Sequence, residues 1–168
     1  DFPDHRHNYV EMLYMCAGQT RHRINGQVDL TLGTGEILLF NQHCSHSIKA
    51  AGEGDIGVNF IIMPAFFHTA FDMMENENLL SDFILDALVQ NNARPEYLHF
   101  RAAELLQVQN LMENLIWNLK YPAPERDRIN RLTMGVLFQH LLDGIQRGDV
   151  GGPQAYSSQT ARMAMQYV

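Results

Sequence analysis

The chain has 168 residues, a mass of 19.2 kDa, an apolar fraction of 46% and a charged fraction of 18%, so it can bury a core and is not a disordered tail. Its net charge of −7 argues against a nucleic-acid-binding surface in this stretch, because such surfaces cluster lysine and arginine. No run approaches the roughly 18 apolar residues of a membrane span, and the two cysteines, Cys16 and Cys44, are too few for a disulfide framework, which favours a reducing, cytoplasmic location.

The first 63 residues follow a two-residue period, which is typical of half-buried strands. Strands are predicted at residues 9–16, 28–32, 36–40 and 56–62. Between the first two, Asn25 and Gly26 form the strongest hairpin signal, because both central positions of a type I′ turn need positive φ. Many short strands joined by glycine-rich turns predict a small β-barrel over residues 1–63. Since the chain opens at Asp1 without a methionine, we expect a longer protein with one more barrel strand before it.

After Pro64 the apolar period changes to that of a helix, and residues 64–147 are predicted to be an antiparallel helical segment. Helices are predicted at residues 64–74, 79–89, 102–120 and 125–147, with a short strand at 97–100 that returns to the sheet. Pro122 and Pro124 separate the last two helices, because proline cannot donate a backbone hydrogen bond and disfavours a helical residue before it. The fold class is therefore expected to be α+β.

The last predicted helix has a wider apolar face than packing against a single neighbouring element would require. Ile129, Leu132 and Val136 lie on one side of it, and a second arc begins at Leu137. A second apolar surface implies a second partner, and another copy of the chain is the simplest one. We therefore predict a homodimer whose interface includes Ile129, Leu132 and Val136.

The end of the chain differs in composition from the helices before it. Residues 148–158 are rich in glycine and serine, which predicts a linker. Ser157 or Ser158 can cap a new helix that starts near Gln159. Residues 159–168 are therefore expected to begin a further domain.

The sequence pattern that most clearly indicates a metal- or ligand-binding site is His5-x-His7-x3-Glu11. In a strand these positions share a parity with each other, so their side chains project from one face. Two imidazoles and a carboxylate on one face suit a divalent metal with open coordination positions, and His46 would complete a set of four. The alternative is that polar groups inside a small barrel bind each other or a small organic ligand, without a metal. The candidate ligand-binding residues are His5, His7, Tyr9, Glu11, Leu13 and His46.

The motif His5-x-His7-x3-Glu11-x6-Gly18 resembles the first sequence motif of the cupin barrel. The second cupin motif is matched in part, because Gly35 begins it and His46 stands at the position of its histidine. The sequence departs from that motif at Asn41, His43 and Ala50, where proline, glycine and asparagine are usual. The resemblance implies a cupin or jelly-roll barrel.

The order of elements along the whole chain resembles the arabinose-regulator (AraC/XylS) family of bacterial transcription factors. A cupin, two amphipathic helices and a linker are followed by Ala164-x-x-Tyr167-Val168, which is similar to the start of that family's first DNA-domain helix. The resemblance implies that the barrel senses a small molecule and that the helical pair mediates dimerisation. It also implies a basic DNA-binding region of about 100 residues after Val168, and a histidine–glutamate pattern that often persists without a metal.

We therefore expect a cytoplasmic regulator, not an enzyme, that responds to a small molecule, binds DNA through a region outside this sequence and has no membrane partner. The alternative is a metal-dependent cupin enzyme, such as a dioxygenase or isomerase, that uses His5, His7, Glu11 and His46 on Fe, Mn, Ni or Zn. A third class is a stand-alone sugar-binding cupin. The sequence does not identify the effector, the target genes or the direction of regulation.

Overall fold

The computed structural model of the chain describes residues 2–5, 9–74, 80–83 and 96–147. These residues form an α+β fold, which confirms the predicted class. The strands are β1 (Phe2–His5), β2 (Val10–Ala17), β3 (Gln19–Ile24), β4 (Val28–Gly33), β5 (Ile37–Phe40), β6 (His46–Ile48), β7 (Ile56–Ile62) and β8 (Tyr97–Phe100). A 3-10 helix (Pro64–Phe66) precedes α1 (Phe67–Asp72), α2 (Leu106–Lys120) and α3 (Arg126–Arg147), and residues 80–83 are also helical.

The strands form two antiparallel sheets that face each other. The first sheet has the strand order β1-β6-β3-β4 and the second has the order β7-β2-β5-β8. Alternate residues of both sheets meet in one inner apolar cluster, as in a jelly roll. We call this two-sheet unit the barrel. Its inner cluster consists of Leu13, Met15, Ile24, Leu30, Leu32, Leu38, Phe40, Cys44 and Tyr97.

The hairpin between β3 and β4 turns at the dipeptide that the sequence singles out. Asn25 has a φ of 50° and Gly26 a φ of 65°, the positive values that a type I′ turn requires at both positions. The register that follows places His22 opposite Leu30. Because Leu30 belongs to the inner cluster, this turn also fixes His22 on the inner face of the barrel.

The outer face of the second sheet packs against the helices. Met12 contacts this side, whereas Leu13 points into the barrel, as the alternation of a strand requires. The rings of Phe67 in α1 and Phe138 in α3 stack with their centroids 5.9 Å apart. We call the helices and the outer cluster that they cover the helical layer.

Gln109 of α2 ties the helical layer to the barrel. Its side chain accepts a hydrogen bond from the Tyr14 hydroxyl at 2.6 Å and donates to the carbonyls of Gly35 at 3.0 Å and Ala102 at 2.8 Å. Gly35 has a φ of 78°, and a Cβ there would lie 2.8 Å from Cα of Ala103. Glycine is therefore required at this junction both by its backbone conformation and by the close approach of the next element.

The helices differ in detail from the predicted ones. α2 begins at Leu106 rather than at residue 102, because residues 102–105 form a turn in which the Leu105 amide donates to the Ala102 carbonyl. The segment predicted as one helix at 64–74 is a 3-10 helix followed by the short α1. The predicted helix at 79–89 is described only at residues 80–83, and residues 148–168 lie outside the described part. No helix in the described ranges is long and apolar enough to cross a membrane.

Candidate functional site

A polar cluster interrupts the apolar inner face of the barrel. Glu11 is 3% exposed, His22 is 1% exposed and His46 is fully buried. They come from three strands, β2, β3 and β6. Glu11 shares the parity of Leu13, and His22 shares that of Ile24, so both face the inner cluster. The barrel therefore brings a carboxylate and two imidazoles into an apolar setting.

Glu11 and His46 form the centre of this cluster. Oε2 of Glu11 lies 3.4 Å from Nε2 of His46, and Oε1 accepts a hydrogen bond of 2.5 Å from the side-chain amide of Asn59 on β7. The Phe40 ring stacks on the His46 ring with the centroids 4.0 Å apart. Glu11 thus connects the inner imidazole on one side with the edge strand β7 on the other.

His22 adds a second imidazole to the cluster. Its ring centroid is 6.5 Å from that of His46, and its Nε2 lies 2.8 Å from Oγ1 of Thr20. Its Nδ1 has no hydrogen-bond partner among the described residues. Burial, assisted by His99, lowers the pKa of His22 to about 4, so the ring is neutral near pH 7. A neutral buried imidazole with one open nitrogen can form a hydrogen bond with a ligand.

Three of the predicted ligand-binding residues, Glu11, Leu13 and His46, lie together on the inner face. Tyr9 is half-buried just before β2. Burial and then the charge of Glu11 raise the pKa of the Tyr9 hydroxyl. The Tyr9 hydroxyl therefore lies within electrostatic range of the Glu11 carboxylate, near the start of β2.

The predicted metal-ligand set is described only in part. The backbone of His5 pairs with His46 between β1 and β6, while the side chain of His5 and the whole of His7 lie outside the described residues. Among the described side chains, no group of three or more histidine, cysteine, aspartate or glutamate residues is placed to hold a metal ion. The set of His5, His7, Glu11 and His46 therefore stays a prediction, of which Glu11 and His46 are the described half.

Three further polar residues join the inner face without a motif to mark them. His22 is placed by the hairpin register, and Asn59 lies opposite Leu13 in the pairing of β7 with β2. His99 on β8 is buried, and its Nε2 lies 3.0 Å from Oε2 of Glu36. Strand alternation is the signal that could have found them, once the register of each strand is known.

The predicted dimer residues lie on the outer surface of α3. Ile129, Leu132 and Val136 are all exposed, and their spacing places them on one side of the helix. Leu137 and Leu141, on another side, are buried in the helical layer. The apolar arc on α3 is therefore divided between an inner side that packs within the subunit and an exposed side.

A cleft of about 530 Å³ opens between the edge strand β7 and the helical layer. Asn59, which contacts Glu11, lies at its barrel side. Its walls include the apolar side chains Ile61, Met63 and Leu119. The cleft therefore begins beside the buried polar cluster and continues along an apolar surface.

The one ion pair described on the wall of this cleft belongs to α3. Nε of Arg131 donates to Oδ2 of Asp127 at 2.9 Å, and the guanidinium carbon lies 4.7 Å from the centre of the Phe66 ring. Arg131 also donates to the Ala65 carbonyl at 3.4 Å. This cation is already engaged within the subunit.

Comparison with models of known protein families gives a match to the N-terminal part of the chain. Residues 1–73 match the family model of the AraC-like ligand binding domain. No curated protein matches the chain in sequence.

Solved structures that are similar in fold include two crystal structures of ToxT from Vibrio cholerae. An apo variant aligns with a TM-score of 0.56 and 10% identity, covering 88% of this chain and 53% of that chain. A second ToxT structure aligns with a TM-score of 0.52 and 13% identity, covering 84% and 50%. At these identities the likeness shows the fold alone, and this chain spans about half the length of those proteins.

Proposed function

We propose that the chain is the effector-sensing and dimerisation part of a transcription regulator, because residues 1–73 match the model of the AraC-like ligand binding domain. The observation that carries the proposal is the buried cluster of Glu11, His22 and His46. Burying a carboxylate and two imidazoles costs free energy that apolar packing would not. Such a cluster in an apolar barrel is therefore best explained by recognition of a small polar molecule.

The structure offers a route from this cluster to the helices. Glu11 faces the barrel interior, and the next residue, Met12, is buried in the helical layer. Two residues further on, Tyr14 contacts Gln109 of α2. A ligand that binds more tightly to one arrangement of β2 and the helices shifts the equilibrium toward that arrangement. The free energy of this shift cannot exceed the difference in binding free energy between the two arrangements.

The other parts of the regulator follow from the same proposal. The exposed side of α3, with Ile129, Leu132 and Val136, joins two copies of the chain. DNA binding belongs to a basic region outside this sequence, because the present chain carries a net charge of −7. A bacterial regulator of this kind acts in the cytoplasm and is not an enzyme.

The complete reading frame and the full-length protein test the proposal. We expect about 100 further residues after Val168, basic and helical, the size of one small domain. The full-length protein should bind DNA with strong salt dependence, whereas residues 1–168 alone should not bind at the same concentration. A reading frame without a basic helical region would contradict the proposal.

A metal-dependent cupin enzyme is the second candidate, favoured by the close approach of Glu11 and His46 at 3.4 Å. With His5 and His7, these residues would supply nitrogen and oxygen ligands to Fe, Mn, Ni or Zn. Elemental analysis of the purified protein separates the candidates. The enzyme requires about one metal ion per chain and loss of both metal and turnover in His7→Ala, whereas the regulator requires neither.

A further inference from the structure

Two cations lie opposite each other on the outer face of the first sheet. Arg21 precedes the inward-facing His22 in β3, so strand alternation turns the Arg21 side chain outward. The amide of Lys49 donates to the Arg21 carbonyl at 3.0 Å, which continues the pairing of β6 with β3 by one residue. Both side chains are exposed. Arg21 and Lys49 are therefore direct cross-strand neighbours with the same charge.

This pair of like charges is not compensated within the subunit. In the described part of the chain, no carboxylate forms an ion pair with Arg21 or Lys49. Arg23, two positions further along β3, differs because the register places it opposite Asp29 of β4. Like charges at directly opposite positions destabilise a sheet, whereas opposite charges stabilise it. The unfavourable pair at Arg21 is expected where a bound anion supplies the missing charge.

A pocket of about 440 Å³ opens at this pair. We call it the outer pocket, and its described lining residues are Gln19, Arg21, Lys49, Ala50 and Asp55. Its volume falls within the range of about 300–1,000 Å³ that is typical of small-molecule sites. A concave site of this size fits a small molecule better than the broad surface of a protein partner. Because all its described lining residues except Ala50 are polar, the molecule is expected to be polar as well.

Asp55 adds a hydrogen-bond acceptor to the outer pocket. Its Oδ1 accepts a hydrogen bond from the Gln19 amide at 2.9 Å, and its Oδ2 accepts one from the Gly52 amide at 2.6 Å. These two bonds, that of Gln19 first, lower the pKa of Asp55, so the carboxylate is ionised near pH 7. An ionised carboxylate accepts further hydrogen bonds and donates none. The outer pocket therefore combines two cations with one acceptor for a hydroxyl group.

We propose that the outer pocket binds a phosphate monoester that also carries hydroxyl groups, with the phosphate at Arg21 and Lys49 and a hydroxyl at Asp55. A phosphate monoester has a charge of about −1.5 to −2 near pH 7, which the two cations balance. Its oxygens accept charge-assisted hydrogen bonds from a guanidinium and an ammonium group. The outer pocket lies on the opposite face of the first sheet from His22 and His46, so it is a second site, separate from the inner cluster.

Isothermal titration calorimetry at low ionic strength tests the ligand class with four probes: glucose 6-phosphate, glucuronate, glucose and inorganic phosphate. The wild-type chain should bind glucose 6-phosphate at least tenfold more tightly than glucuronate, which has a single negative charge on a similar ring. Glucose should not bind at the same concentrations. Inorganic phosphate should bind at least threefold more weakly than glucose 6-phosphate, because it has no sugar hydroxyl for Asp55.

Substitution of the two arginines of β3 tests the site. Arg21→Gln should weaken the binding of glucose 6-phosphate at least tenfold, because it removes one of the two cations. Arg23→Gln is the matched control, since Arg23 lies on the same strand and the same face but outside the outer pocket. Its affinity should stay within twofold of the wild-type value.

Two further variants separate binding from folding. Lys49→Glu places a carboxylate opposite Arg21, so glucose 6-phosphate binding should be lost while the midpoint of thermal unfolding does not fall. Asp55→Asn should lower the ratio of glucose 6-phosphate to inorganic phosphate affinity at least threefold, because the charged acceptor for the hydroxyl is removed. Both probes are measured on the same variant, so this ratio does not depend on its stability.

The proposal would be overturned if glucose 6-phosphate did not bind the wild-type chain, or if Arg21→Gln and Arg23→Gln bound it equally well. Inorganic phosphate that binds as tightly as glucose 6-phosphate would show a general anion site and reject the monoester class. A DNA duplex that binds the chain through Arg21 when glucose 6-phosphate does not would assign the two cations to a nucleic-acid backbone instead.

Discussion

The barrel interior and the helical layer are both well buried, yet they bury different kinds of side chain. In the helical layer, Leu137 and Phe138 of α3 share one buried apolar cluster with Met12 of the second sheet. The barrel interior holds Glu11 and His46 among its apolar residues. The helical layer is thus composed for packing, whereas the barrel interior keeps polar groups that recognition requires and packing does not.

The two regions share strand β2, so the comparison can be made between consecutive residues. Glu11 and Met12 are both buried, one facing the barrel interior and the other the helices. Substitutions on the helical side should therefore change the free energy of unfolding, and those on the inner side should change ligand binding. The predictions below test this division.

The largest expected effect is in the helical layer. Phe138→Ala removes a fully buried ring that stacks on Phe67, and it should lower the free energy of unfolding by about 3–5 kcal/mol. Trp117→Ala, at an exposed position of α2, should change it by about 0.5 kcal/mol or less. Chemical denaturation measures both values. A loss below about 1 kcal/mol in Phe138→Ala would show that this layer is not a packed core.

The next effect is a pH dependence that originates in the barrel. The pKa of His22 is lowered to about 4, so between that pH and the ordinary value of about 6.5 the unfolded chain binds more protons than the folded chain. Stability should therefore rise with pH through this window and then level off, with a contribution on the order of 3 kcal/mol.

Denaturation curves at several pH values check this dependence. His22→Gln should flatten the stability profile between about pH 4 and 6.5. His140→Gln is the control, because His140 is a half-buried residue of α3 that lies away from the barrel cluster. An unchanged slope in His22→Gln would mean that His22 is not the neutral buried group described above.

A third effect concerns association rather than folding. Leu132→Asp places a charge on the exposed side of α3, where 44% of the leucine is exposed. In the dimer this charge would be buried without a partner, so the dissociation constant should rise at least about 30-fold, or about 2 kcal/mol. Analytical ultracentrifugation measures it, with Leu106→Asp as the control on α2. A dimer of unchanged mass would remove α3 from the interface.

The smallest effect on stability is expected at Glu11. Glu11→Gln keeps the hydrogen bond from Asn59, loses the attraction to His46 and also loses the cost of burying a charge. The net change should be about 1 kcal/mol or less, whereas Met12→Ala on the next position should cost about 2–5 kcal/mol. A loss at Glu11 as large as that at Met12 would contradict a division of roles along β2.

The sequence predicted the parts of the fold that depend on local pattern. The Asn25–Gly26 turn and the alternation that separates Leu13 from Met12 follow from backbone geometry and burial. The start of α2 was predicted four residues early, because Ala102 and Leu105 are compatible with a helix but form a turn at the junction with the barrel. Local propensity does not contain that tertiary contact.

The site was less predictable than the fold, because its residues are far apart in the chain. Glu11 and His46 carry a spacing signal, but His22 and Asn59 enter the inner face only through strand register. The cleft lies between β7 and Leu119 of α2. These two elements are far apart in the sequence, and no periodicity in the sequence relates one to the other. Register and packing between distant elements decide these contacts.

Native mass spectrometry of three proteins tests the division between the barrel and the helical layer most directly. The wild-type chain should be a dimer that retains one small organic molecule per subunit. Leu132→Asp should be a monomer that keeps the molecule, and Glu11→Gln a dimer that loses it. The account would be contradicted by a wild-type protein that is monomeric and carries no organic molecule. It would also be contradicted if either variant alone lost both dimerisation and the bound molecule.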